Sequence, residues 1–271
     1  MIIKKAAALA AAVAALGAIA ASADAAVLQC GAVITQDTRL DADVGPCAGN
    51  PAPAILINAP DVTLDLHGHR VFGNGNDPFS IGIQPQGGIA TGVTVTNGRV
   101  EGFGFGVNVS SGSTASRLAI ANTGVGIFPI GASDVTITRN RITDSTIGIE
   151  PDFTTNAVIT RNRIRNCGTG GIVSIFSNGG NSYERNLVTD CAGNGFDLDL
   201  AAPDDTLVDN RALRNGADGI HVGHSGGTTL TRNRAENNTG DGIDVTGGTD
   251  GGRNRAKRNG GVQCTGVSCR P

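Results

Sequence analysis

From about residue 135 onward, polar and apolar positions alternate in short runs that recur with a nearly constant period. Val135-Thr136-Ile137-Thr138 and Ala157-Val158-Ile159-Thr160 open successive repeats, and Gly148-Ile149-Glu150, Gly219-Ile220-His221-Val222 and Gly242-Ile243-Asp244-Val245 close others. Alternation at period two predicts half-buried strands. Along the same stretch an asparagine returns at Asn140, Asn162, Asn186, Asn210, Asn233 and Asn254, at intervals of 21 to 24 residues. A fixed period of this length is the mark of a solenoid. Three short strands per coil of about 23 residues, separated by asparagine and glycine bends, predict an all-β parallel β-helix of about ten coils. A helical repeat is excluded by the period-two pattern and by glycine in nearly every segment.

The period assigns residues to faces. Ile142, Ile164, Val188, Ala212, Ala235 and Ala256 follow the asparagines on the inward side, so the core should narrow toward the C-terminus. Asparagine tolerates tight bend conformations, and stacked amides hydrogen-bond from coil to coil, which predicts a ladder. A second ladder is expected five residues on, through Ser145, Cys167, Cys191, Asn215, Asn238 and Asn259. If Ile149, Ile172, Phe196, Ile220, Ile243 and Val262 point inward, the outward column reads Glu150, Val173, Asp197, His221, Asp244, Gln263. Asp152 and Asp199 are expected on the same outward face, two residues further on, with His224 close by. Arg141, Arg163, Arg211, Arg234 and Arg255, interrupted by Leu187, form an outward cationic stripe beside the asparagines.

The chain ends carry other signals. Lys4, Lys5 and the apolar run Ala6 to Ala21 read as a secretory leader over residues 1–25, too short and alanine-rich for a membrane span. Residues 26–60 read as an N-terminal cap with the first strands, 61–259 as the β-helix, and 260–271 as a C-terminal cap. The expected location is secreted or periplasmic, as a monomer. Six cysteines in an exported chain favour disulfides. Cys30 with Cys47 and Cys264 with Cys269 are the natural local pairs, while Cys167 and Cys191 should stack on adjacent coils, either bridged or as packed thiols. The balance of 21 basic against 24 acidic residues argues against nucleic acid as a partner. With 41 glycines and no tryptophan, a core of aliphatic rungs is expected rather than one built on large aromatics.

Several phrases carry a family likeness: Val62-Thr63-Leu64-Asp65-Leu66-His67-Gly68-His69, Asn97-Gly98-Arg99-Val100-Glu101-Gly102-Phe103-Gly104, and the repeated Arg-Asn-Arg and Gly-Ile-x-Val units. In these the chain resembles the bacterial right-handed parallel β-helix repeat proteins of the pectate-lyase-like superfamily. The resemblance covers almost all of the chain after the leader and implies a right-handed solenoid. It is nearly silent on activity, because the superfamily includes polysaccharide lyases, glycoside hydrolases, uronate epimerases and noncatalytic surface proteins. Gly195-Phe196-Asp197 is similar to the start of a mannuronan epimerase motif, but Leu198, Asp199 and Leu200 stand where Pro, His and Asp are expected.

The candidate chemistry lies where the repeat is broken by substitution. Coils about 4.8 Å apart would stack Asp197, His221 and Asp244 as acid, imidazole, acid. With Asp199 they form the expected catalytic set, since a histidine between carboxylates serves as general acid or base toward a sugar ring. Arg141, Arg163, Arg211, Arg234, Arg255 and His224 are the expected substrate-binding set, because guanidinium forks match carboxylate and sulfate groups. No cofactor is required, although Asp197, Asp199 and Asp244 are compatible with calcium. His67 and His69 look structural, on one strand face. The expected function is binding, with cleavage or epimerisation, of an acidic polysaccharide, as a lyase, hydrolase or uronate epimerase if an enzyme. The alternative is a noncatalytic repeat protein of the secretome or cell surface, in which every ladder only stabilises the coil.

Overall fold

The computed structural model describes residues 24–75, 77–199, 204–223 and 226–270. The leader expected over 1–25 falls outside them, save Asp24 and Ala25, which lie in strand Asp24–Ala26. Among the described residues there is no helix: the chain forms strands throughout, paired in parallel from coil to coil. The first and second strands of each coil belong to one 20-stranded sheet, and the third strands form an 11-stranded sheet. The first two sets are joined because Thr94–Glu101 and Thr114–Ala121 run through the intervening bend as single strands. Pairing begins early, since Ala32–Ile34, Thr38–Leu40 and Val44–Cys47 already lie under the strands of the next coil.

Alternate side chains fill the interior. Ile142, Ile164, Val188, Ala212, Ala235 and Ala256 stack in register and are buried, so the core narrows as the pattern requires. Each large aliphatic rung contributes about 1.5–3 kcal/mol through burial. The glycine that opens each third strand has a steric reason. A Cβ added to Gly148 would lie 2.5 Å from the carbonyl oxygen of Gly171 and 2.5 Å from Ile164 Cγ2.

The asparagines form the expected ladder, but the bend is shared between two residues. The residue in the left-handed conformation is the one before each asparagine: φ is 58° at Arg139, 57° at Arg161, 52° at Arg185 and 57° at Asp209. The asparagine itself turns inward and is buried. Asn162 Oδ1 accepts both the backbone N–H and a side-chain N–H of Asn140, at 3.0 and 3.1 Å. Its own Nδ2 donates to the Ile137 carbonyl at 2.9 Å and to Asn186 Oδ1 at 3.1 Å. Every donor and acceptor of the amide is used, which is what a buried amide needs. The second ladder runs from Thr123 and Ser145 through the Cys167–Cys191 disulfide to Asn215, Asn238 and Asn259.

All six cysteines are paired, Cys30 with Cys47 and Cys264 with Cys269 completing the set. Three expectations are corrected. Ile243 stacks on Cys264 and Asp244 on Thr265, so Gln263 does not continue the His221 column. Instead its Oε1 accepts from Asn259 Nδ2 at 2.9 Å and closes the second ladder. Asp152 is buried rather than outward, accepting the Ile175 N–H at 2.9 Å. His67 occupies a bend with φ of 48°, not a strand face shared with His69. It lies 3.3 Å from Arg39, while His69 pairs with Asp43 at 3.6 Å.

Candidate functional site

The third strands Phe196–Leu198, Ile220–Val222 and Ile243–Val245 align Asp197 with His221 and His221 with Asp244. Phe196, Ile220 and Ile243 before them, and Leu198, Val222 and Val245 after them, are buried, so the central residue of each strand must face out. His221 Nδ1 lies 3.3 Å from Asp244 Oδ2 and 3.8 Å from Asp218 Oδ2. These side chains are only 25 to 29 % exposed, so their attraction is less screened than at an open surface.

Asp218 was not among the residues picked from the sequence, where it passes as part of the repeated Asp-Gly-Ile unit. It belongs to a third ladder, at the bend before the third strand. The Asp218 N–H donates to Asn194 Oδ1 at 2.9 Å, Asp218 Oδ1 accepts the Asp241 N–H at 2.6 Å, and Asp241 Oδ1 accepts the Val262 N–H at 2.7 Å. One carboxylate oxygen of Asp218 is thus fixed by backbone, and the other is left toward His221. The signal was available: an acid two residues before the strand, at the coil where the column carries histidine.

Asp199 joins from the opposite side. A Cβ on Gly223 would lie 2.5 Å from Asp199 Oδ1 and 3.3 Å from His221 Nε2, so both gather around the space that glycine leaves open. Of the four expected catalytic residues, Asp199, His221 and Asp244 are therefore brought to one place, with Asp197 as the neighbour in register. His224 lies outside the described residues. Among the described residues, the set of His, Cys, Asp and Glu side chains whose ligand atoms converge within 4.8 Å is Asp218, His221 and Asp244. An imidazole nitrogen in that set departs from the all-oxygen shell that calcium prefers.

Further up the same outward column stand Val173 and Glu150. Burial, with the nearby Asp152 adding to it, pushes the Glu150 carboxyl above the usual carboxylate range. A desolvated carboxyl of this kind suits proton donation, and sequence reasoning had placed Glu150 in the column without giving it a role.

The arginine stripe occupies a different face, opening the second strand, with the rest of that strand and the second bend between it and His221. Arg141, Arg163, Leu187, Arg211, Arg234 and Arg255 are in register as expected. Arg139, Arg141, Arg161, Arg163, Arg185 and Arg211 line a cavity of about 520 Å³ floored by Asn140, Asn186 and Leu187. Arg234 and Arg255 do not line it. Arg234 is turned to Glu236 at 2.6 Å, an acid two residues along its own strand. Asp205 offers the stripe no partner, being buried and accepting from Asn181 N and Ser177 Oγ, both at 2.8 Å.

A parallel solenoid carrying such a face defines a β-helix protein. The match to the family described as "right handed beta helix region", over residues 55–202 and 103–259, shows that the chain belongs to that family. Among solved structures it is similar to a mutant of the periplasmic alginate epimerase AlgG, with a TM-score of 0.60 and 14% identity, covering 87% of this chain and 73% of that one. It is also similar to the enzymatically active domain of tailspike protein 2 of bacteriophage CBA120, with a TM-score of 0.51 and 18% identity, covering 80% of this chain and 38% of that one. The Dettilon tailspike protein matches with a TM-score of 0.50 and 16% identity, over 90% of this chain and 60% of that one. No curated protein matches the chain. Likenesses at this identity establish the right-handed parallel fold and leave the chemistry to the site itself.

Proposed function

We propose that the protein is an exported β-helix that binds and processes an acidic polysaccharide, with His221 as the proton-transferring group. The observation that carries this reading is His221 Nδ1 placed within 3.3 and 3.8 Å of two carboxylates. A proton on Nδ1, beside Asp244 at 3.3 Å, would leave the Nε2 lone pair for the substrate, on the side of Gly223 and Asp199. That tautomer makes His221 a general base toward a ring proton or an attacking water, and its protonated form the matching acid. The solved relative whose name specifies alginate supports a polyuronate as the substrate class. Three disulfides support an oxidising compartment, and with it removal of residues 1–25 as a leader. Among the described residues no helix is long and apolar enough to cross a membrane.

The test is incubation with a panel of polyuronates, scored for unsaturated products absorbing in the ultraviolet, for new reducing ends and for altered uronate stereochemistry. Turnover that disappears in His221→Ala supports the proposal. Glycan binding without turnover, unchanged by that substitution, would establish the noncatalytic alternative. Neither binding nor turnover on any acidic glycan defeats both glycan readings and leaves a purely structural repeat protein.

A further inference from the structure

The carboxylates around His221 repel an anionic chain, so the polymer needs a grip elsewhere. We propose that the bend between the first and second strands is a separate, noncatalytic binding lane for a linear polyuronate lying along the solenoid axis. The inference rests on the acidic-glycan reading above, though not on its chemistry.

Two arginine rows make the lane, and the sequence had shown only one. Arg141, Arg163 and Arg211 stand on the second strand, on one side of the asparagine ladder. Arg117, Arg139, Arg161 and Arg185 stand on the other, each at a left-handed bend position with φ between 52° and 58°. That backbone turn holds the second row outward, opposite the first. The 520 Å³ cavity between the rows meets a neighbouring one of about 420 Å³ at Arg139 and Arg141, and the second adds Arg99 and Arg117. Together they follow six coils, from the coil of Arg99 to that of Arg211, or roughly 24 Å of axis.

Most of these arginines are not consumed by the fold, although Arg185 lies 3.6 Å from Glu184 and 3.9 Å from Asp209, and Arg117 Nε donates to Asn97 Oδ1 at 2.7 Å. Among the described residues no carboxylate lies within ion-pair distance of Arg139, Arg141, Arg161, Arg163 or Arg211. Beyond the lane the pairs are closer: Arg232 is held by Asp209 at 2.7 Å and Arg234 by Glu236 at 2.6 Å. Eight of the 21 basic residues line the two cavities of a chain whose formal net charge is −3, so the patch is not an effect of basic composition.

Charge spacing selects the occupant. The lane offers one or two guanidiniums per coil, about every 4.8 Å, whereas duplex DNA carries a charge about every 1.7 Å. A 1→4-linked uronan advances by about one coil spacing per sugar and carries one carboxylate on each. No aromatic side chain lines the lane, so the stacking platform of a single-stranded nucleic acid site is missing from it. Planar guanidiniums on both sides match a carboxylate's two oxygens.

The full chain is titrated with oligouronates of two to ten sugars, with neutral dextran oligomers, highly sulfated dextran and duplex DNA as comparisons. Affinity should rise with length to about six sugars and then level, with neutral dextran silent. Arg161→Gln with Arg163→Gln should weaken binding roughly twenty-five-fold, about fivefold for each exposed charge-assisted contact. Lysine at both positions should restore part of it, and Arg258→Gln, at the other bend, should stay within twofold. Oligouronate binding indifferent to the double substitution overturns the lane and leaves the acidic-glycan reading standing. No oligouronate binding defeats both. DNA or sulfated dextran binding tenfold tighter than a uronate of equal length overturns the assignment of the occupant.

Discussion

Removing one amide from the asparagine ladder should destabilise the protein far more than removing the charged side chain next to it. In wild type, Asn210 Oδ1 accepts the backbone N–H of Asn186 at 3.0 Å and its Nδ2 at 3.1 Å. Asn210 Nδ2 donates to the Tyr183 carbonyl at 2.7 Å and to Asn233 Oδ1 at 3.1 Å. Asn210→Ala therefore strands the Asn186 N–H and one Nδ2 proton of Asn186 and removes the side-chain donor to the Tyr183 carbonyl, beside buried neighbours at both Asn186 and Asn233. Each orphaned buried group costs about 1–3 kcal/mol, and partial relaxation brings the sum to about 3–5 kcal/mol. Arg211, one residue on, is exposed and unpaired among the described residues, so Arg211→Ala should change stability by less than about 0.5 kcal/mol. Urea unfolding followed by circular dichroism reads both as shifts of the midpoint at constant slope. A loss below about 1 kcal/mol for Asn210→Ala, or no difference between the two variants, would refute the claim that the ladder holds the bends.

Further outcomes follow from buried groups. Burial raises the Asp205 carboxyl above its ordinary value, so the folded state holds that proton more tightly than the unfolded chain, and stability falls as pH rises from about 4 through the folded pKa. Asp205→Asn keeps an acceptor for the Asn181 N–H and should gain melting temperature relative to wild type over that window; a difference independent of pH would contradict this. Gly148→Ala places a Cβ against the Gly171 carbonyl and Ile164, and should lower stability by about 1–3 kcal/mol in thermal melts, whereas Ala at Gly87, where an added Cβ meets nothing, should be tolerated.

Much of the fold was legible because the solenoid repeats its instructions. A period near 23, an inward aliphatic at fixed offset and a glycine before each third strand are enough to place Ile142 over Ile164 and Asp197 beside His221. What escaped was set by backbone geometry rather than by residue type. The left-handed residue at the bend is any side chain that precedes the asparagine, so the second arginine row looked like random surface. Asp218 was hidden inside a repeated phrase, since only its bond to the Asp241 N–H fixes which oxygen faces His221. In the last coil Thr265 follows Asn254 at the same offset as His221 follows Asn210 and Asp244 follows Asn233, so the column continues at Thr265 and Gln263 falls short of it. Asp152 was placed outward on alternation, but the chain leaves the strand after Ile149 and turns that carboxyl onto the Ile175 amide.

Proton transfer by His221 is read from turnover of the best polyuronate substrate by His221→Ala compared with wild type at equal folded concentration. Loss of the imidazole should lower kcat about 10²–10⁴-fold with the circular dichroism spectrum unchanged. Turnover within tenfold of wild type would place the chemistry elsewhere on the solenoid.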